Sequence, residues 1–157
     1  MTANEAGNIV VRVGTIRVNL SPHAFYRHAV HWYEAKRQFV PPDKFSPVPY
    51  AMLCQAIELV IKARHLRRAN QKQVKDEYGH DLIGGYKALE PGERVLTPDE
   101  ERTLKQASEL YNKPKAFEYF CPIDALTGYK SFPDLDRLEQ ITLKLLDASK
   151  DLDLPRK

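Results

Sequence analysis

The sequence predicts a mainly α protein, an antiparallel bundle of about five helices with a short N-terminal β-hairpin. Three observations predict it. Apolar residues recur at helical spacing in several long segments. Ser, Thr, Pro and Gly punctuate those segments at the places where helices start and stop. The β-branched runs are confined to the first twenty residues. At 157 residues the chain is expected to form one domain over 1–157. A chain of this length buries roughly 70% of its unfolded surface, so one core suffices without covalent staples.

Residues 1–7 read as a disordered start and 8–20 as the hairpin. Ile9-Val10-Val11-Arg12-Val13 and Ile16-Arg17-Val18-Asn19-Leu20 flank Gly14-Thr15, and Gly at the first loop position suits a type II′ turn. The bundle is expected over 21–150. Ser21 and Pro22 open the first helix, on which Phe25, Ala29, Trp32, Tyr33 and Phe39 share an apolar face. His23, Arg27, His31 and Glu34 share the other face, and Pro41-Pro42 ends the helix. Ser46-Pro47 starts the second helix. There Met52, Leu53, Ala56, Ile57, Leu59, Val60, Ile61, Ala63 and Leu66 cover most of the circumference, the pattern of a central helix.

From Asn70 to Tyr78 the chain turns polar and basic. His80-Asp81 opens a short third helix through Leu89, closed by Pro91-Gly92. Thr97 and Glu100 have capping-box spacing at the head of a fourth helix, with Leu104, Ala107 and Tyr111 inward and Pro114 as its stop. An aromatic loop follows over 115–132, carrying Phe117, Tyr119, Phe120, Tyr129 and Phe132, which should pack on the bundle. A fifth helix runs from about Pro133 to Lys150 on Leu135, Leu138, Ile141, Thr142 and Leu145.

Composition bounds the function. The chain is 43% hydrophobic and 29% charged, with net charge +3, which permits an acidic partner without demanding one. Cys54 and Cys121 form no CxxC pattern, and Cys54 in an apolar run reads as a buried free thiol, so a reducing, cytoplasmic setting is expected. The N-terminus shows no basic stretch followed by an apolar one, and Gln55, Glu58 and Lys62 interrupt the most apolar segment, so no membrane association is expected. Motifs for phosphate loops, dinucleotide folds, zinc proteases and nucleophile elbows do not occur. No cofactor is expected.

Four groups of residues are candidates for chemistry. Gln55, Glu58, Lys62 and His65 form one polar stripe on the second helix, facing a groove, solvent or partner groups of their own. His80 and Asp81 at a helix start suit acid–base work or phosphate contact, although a helix cap tied to Glu58 or Lys62 is the plainer reading. On the first helix His23, Arg27, His31 and Glu34 suit phosphate contacts, against the plainer reading of a solvated face. His28-x-x-His31 alone is a thin basis for a metal site, since catalytic zinc usually takes three protein ligands, and none is expected. Arg64, Arg67, Arg68, Lys72 and Lys75, running on from Lys62, form a basic run able to attract nucleic acid, against the plainer reading of a solvated helix end.

The order Ala56-Ile57-Glu58-Leu59-Val60-Ile61-Lys62-Ala63, then Tyr78-Gly79-His80-Asp81-Leu82, resembles the HEPN family of helical bundles. That family carries an A-x-E-x-x-x-K-A helix core followed by a G-H-D-L element opening the next helix. The resemblance covers about a quarter of the chain. It implies an antiparallel bundle, often a homodimer. The implied roles range from RNA cleavage to nucleotide-dependent accessory functions beside a nucleotidyltransferase-like partner protein, in toxin–antitoxin or defence systems. The nuclease branch uses a late-helix arginine followed by a histidine four to six residues on, absent here because no histidine follows His80. The resemblance therefore points to a non-catalytic binding partner. The alternatives are a metal-independent endoribonuclease using Arg27, His31 and His80, or a module binding a nucleotide or other small ligand.

Overall fold

The computed structural model describes the backbone of 2–3, 9–13 and 16–19, and residues 21–113, 117 and 122–153. The helices are α1 Pro22–Gln38, α2 Val48–His65, α3 Gln71–Tyr78, α4 Leu82–Lys87, α5 Pro98–Tyr111, α6 Pro122–Leu126 and α7 Leu135–Asp147. Short 3₁₀ turns occupy Pro91–Glu93 and Lys150–Leu152. In the N-terminal stretch the backbones of Ile9–Val13 and Ile16–Asn19 pair antiparallel, and Thr2–Ala3 pairs with Ile9 and Val10. The Gly14-Thr15 turn lies outside the described residues, as do Pro114, Tyr119, Phe120 and Cys121.

α2 is the axle. Leu53, Cys54, Ala56, Ile57, Val60, Ile61, Ala63 and Leu66 are all buried, because α1, α4, α5 and α7 pack around it. Leu104 and Ala107 of α5 and Leu138, Ile141, Leu145 and Leu146 of α7 complete the same core. Burial pushes the Cys54 thiol up to about 12, with a smaller contribution from Glu58. The aromatic stretch packs as expected where it is described. Tyr129 stacks on Phe45 with centroids 3.6 Å apart, and Phe132 meets Phe45 and Tyr50 edge-on.

Several elements depart from the sequence expectation. There are seven α-helices among the described residues rather than about five. The polar run after Asn70 is a helix, α3: Asn70 accepts from the Gln73 backbone while the Gln73 side chain accepts from Asn70 N–H, a capping box without Ser or Thr. Its single buried apolar residue, Val74, is too little to show as a period. Ser21 sits at the α1 N-cap position without a side-chain cap bond. The buried side of α1 is Tyr26 and Ala29 with Phe25, Val30 and Tyr33 packed against the core, whereas Trp32 stands 42% exposed. Phe25, Ala29 and Tyr33 of the expected face thus pack inward, and Trp32 is left at the rim.

Two glycines bring α4 onto α2. Gly79 has φ +50° and turns the chain between α3 and α4, a conformation costly for residues with a Cβ. At Gly85 a Cβ would lie 3.2 Å from Ile61 Cγ2, a tight contact that Ile61 would have to yield to by a few tenths of an ångström. Leu53→Ala, at a fully buried position, should cost about 2–5 kcal/mol, read as a drop in urea midpoint with unchanged slope.

Candidate functional site

The candidate site is a polar cluster where α2, the α4 start and the end of α5 meet. Glu58 is buried on α2. Its Oε1 accepts from Lys62 Nζ at 2.5 Å, one turn along, and its Oε2 lies 2.9 Å from His80 Nδ1, which donates to it. Helical spacing places Lys62 beside Glu58. The Gly79 turn delivers His80. Tyr111, at the last residue of α5, donates its hydroxyl proton to Gln55 Oε1 at 2.8 Å and stands edge-on to the His80 ring.

Burial alone would raise the Glu58 carboxyl above its ordinary range. Hydrogen bonds from His80 and Lys62 and the positive charge of Lys62, with the Tyr111 hydroxyl close by, outweigh burial and hold it below. The Tyr111 phenol is pushed up, first by its own burial and then by the Glu58 carboxylate. The cluster thus stores one negative charge inside the bundle and keeps it ionised. Its solvent side is the His80 ring, whose side chain is 68% exposed, while the Lys62 side chain is 14% exposed.

The remaining stripe residue, His65, does not join the cluster. Its Nε2 donates to the Gly85 carbonyl at 2.8 Å and its ring stacks on Tyr78 at 4.3 Å, so it braces α3 and α4 from inside. Asp81 is the α4 N-cap. Its Oδ1 accepts from Gly84 N–H at 2.9 Å and from Ser108 Oγ at 3.2 Å, which ties the cap to α5.

Within the basic run Arg67, Arg68, Lys72 and Lys75 are exposed, in keeping with a solvated helix end, and Arg64 departs from it. Arg64 is buried; it donates to Ser149 Oγ at 3.1 Å, Asp151 at 3.0 Å and the Ala148 carbonyl, with Glu93 3.7 Å away. Arg67 pairs with Asp151, Arg68 with Glu93 and Glu90, and Lys72 with Asp76. Asp151, Glu90 and Glu93 come from segments distant in sequence, which is why spacing along α2 gave no sign of them. A guanidinium bridging four partners holds the α2 end, the Pro91–Glu93 turn and the C-terminal turn in one knot. The positive patch that Arg64, Arg67, Arg68 and Lys72 could present to a nucleic acid is thereby largely neutralised.

Arg27 and His31 lie one turn apart on α1, whereas His80 stands at the α4 start. Arg27 reaches Asp153 at 3.4 Å, beside His23, whose Nδ1 lies 3.1 Å from the Leu152 carbonyl. The exposed ring of His31 lies 6.2 Å from that of His28. His80 is on Glu58. Among the described residues no three His, Cys, Asp or Glu side chains gather as a metal-ligand set. No described helix is long and apolar enough to cross a membrane. Sequence reasoning missed Tyr111 and Ser108 as polar members of the site, since both occupy the apolar stripe of α5. Tyr111 carried the one available signal, a hydroxyl on an otherwise inward position.

Compared with family models, curated proteins and solved structures, the chain gives no match.

Two expectations follow from this geometry. Folded Glu58 titrates below its unfolded value, so its contribution to stability is complete above about pH 4.5 and is lost as pH falls through the folded pKa. Glu58→Gln should therefore flatten part of the loss in unfolding free energy as pH falls below about 4.5, and should destabilise most at neutral pH by leaving Lys62 without its carboxylate, by about 3–5 kcal/mol. Arg64→Lys keeps the charge but cannot fork to Ser149, Ala148 and Asp151 together, and should lower stability by about 1–3 kcal/mol in the same denaturation assay.

Proposed function

We propose that the chain is a non-catalytic HEPN-like helical protein that works as a homodimer and as the binding partner of a second, nucleotidyltransferase-like protein in a bacterial toxin–antitoxin or defence-type system. The observation that carries this reading is the contact between its two motif segments. Glu58 of the Ala56–Ala63 core is held between Lys62 and His80, the latter from the Gly79–Leu82 element. In this reading the polar residues are spent on fastening α4 to α2 rather than left free for a substrate. The biological setting and the partner rest on the resemblance alone.

One observation favours a second reading, a metal-independent endoribonuclease. His80 is oriented by a buried carboxylate through one nitrogen while its ring stays open to solvent, an arrangement suited to proton transfer. Against it, Arg27 is engaged with Asp153.

The two readings separate in one experiment. Purified protein incubated with labelled single-stranded RNA in EDTA should leave the RNA intact, as should the His31→Ala and His80→Ala variants. Cleavage by the parent protein that both substitutions abolish would replace the binding reading with the nuclease one. Sedimentation of the same preparation should give a dimer.

A further inference from the structure

The five histidines divide into two groups by what their rings touch. His23 lies 3.1 Å from the Leu152 carbonyl, His65 donates to the Gly85 carbonyl, and His80 donates to Glu58. Each of these three commits a ring nitrogen to holding two segments together. His28 and His31 do not. Among the described residues neither side chain makes a hydrogen bond or ion pair, and each ring has the other as its neighbour.

Both stand exposed on α1, three positions apart and so on one face of the helix. Their ring centroids are 6.2 Å apart and their planes are tilted by 31°. The approach to the pair is open. Ala24 and Ala35, one turn to either side, add no bulk. The cations of the same helix are turned elsewhere: Arg27 to Asp153, Lys36 to Glu139 and Arg37 to Glu34.

We propose that His28 and His31 form a two-histidine chelate for one divalent transition-metal ion of the zinc and copper class. Imidazole nitrogen suits these ions, and α1 already fixes both backbones, so the second bond forms at little further cost in entropy. Tetrahedral zinc with nitrogens at about 2.0–2.1 Å sets two ring centroids about 5 Å apart. From 6.2 Å the rings have to converge by about 1 Å, a movement that side-chain rotation of two exposed residues supplies. Water fills the remaining positions, since among the described residues no third His, Cys, Asp or Glu gathers there. Catalytic zinc usually has three protein ligands, so this is a surface clamp across one turn of α1 rather than a reaction centre. Magnesium and calcium, which take oxygen ligands, are not served by this donor set. The site stands independently of the dimeric and partner readings above.

Trp32, the single tryptophan, follows His31 directly and lies one turn after His28, so copper(II) held by the pair quenches its emission. Titrating the full chain with copper(II) at neutral pH should quench Trp32 saturably at one ion per chain. Zinc should compete for that site and magnesium should not. His28→Ala and His31→Ala each leave a single imidazole and should weaken copper binding by at least about tenfold. In nuclear magnetic resonance of the unsubstituted chain, zinc should move the ring signals of His28 and His31 together, a readout that needs no variant to fold. Quenching without saturation, unchanged copper affinity in both variants, or zinc shifts at other histidine rings in place of these two would each overturn the site.

Discussion

A carboxylate placed on the most enclosed helix of a bundle has to be answered. Glu58 is that carboxylate, and much of the polar architecture around the α4 start answers it. Lys62 supplies a cation from the same helix at no topological cost. His80 supplies the second donor from another segment, and that requirement fixes where α4 begins. Tyr111 closes the third side and, through Gln55, links the end of α5 to α2. Removing one member of such a set is expensive because the others are then buried without partners.

A second polar knot works at the C-terminal end of α2. Arg64 holds Ser149, Ala148 and Asp151 near the C-terminus, while Arg68 holds Glu93 and Glu90 in the turn before α5. The two knots divide the labour. The Glu58 cluster sets the position of α4 against α2, and the Arg64 cluster sets the loops that lead into α5 and out of α7. Between them the central helix is pinned at points about two turns apart, and the apolar contacts fill the space so defined.

The fold was legible where sequence period and punctuation agreed. α2, α5 and α7 each combine a strong apolar stripe or run with an identifiable start, and they lie where the pattern puts them. α3 was not legible, because its stability comes from an Asn–Gln capping box and one buried valine rather than from a stripe. On α1 the apolar face was legible through Phe25, Ala29 and Tyr33; its edge was not, since Tyr26 is buried and Trp32 exposed, and the limits of a stripe depend on how the neighbouring helices pack. In the candidate site Glu58, Lys62 and His80 were legible as a group because two lie one turn apart and the third heads a capped helix. Tyr111 was hidden among inward-facing residues, and the partners of Arg64 were hidden by sequence distance, since Asp151 lies 87 positions away.

The thiol of Cys54 has a practical consequence. It sits on α2 beneath the packed helices and is protonated across the whole range in which proteins are handled, with its titration displaced to about 12. A thiol in that state is a poor nucleophile toward alkylating reagents and peroxide. Its modification therefore waits on separation of the surrounding helices from α2, and the rate at which native protein takes up label at this position is a clock for how often the bundle breathes open.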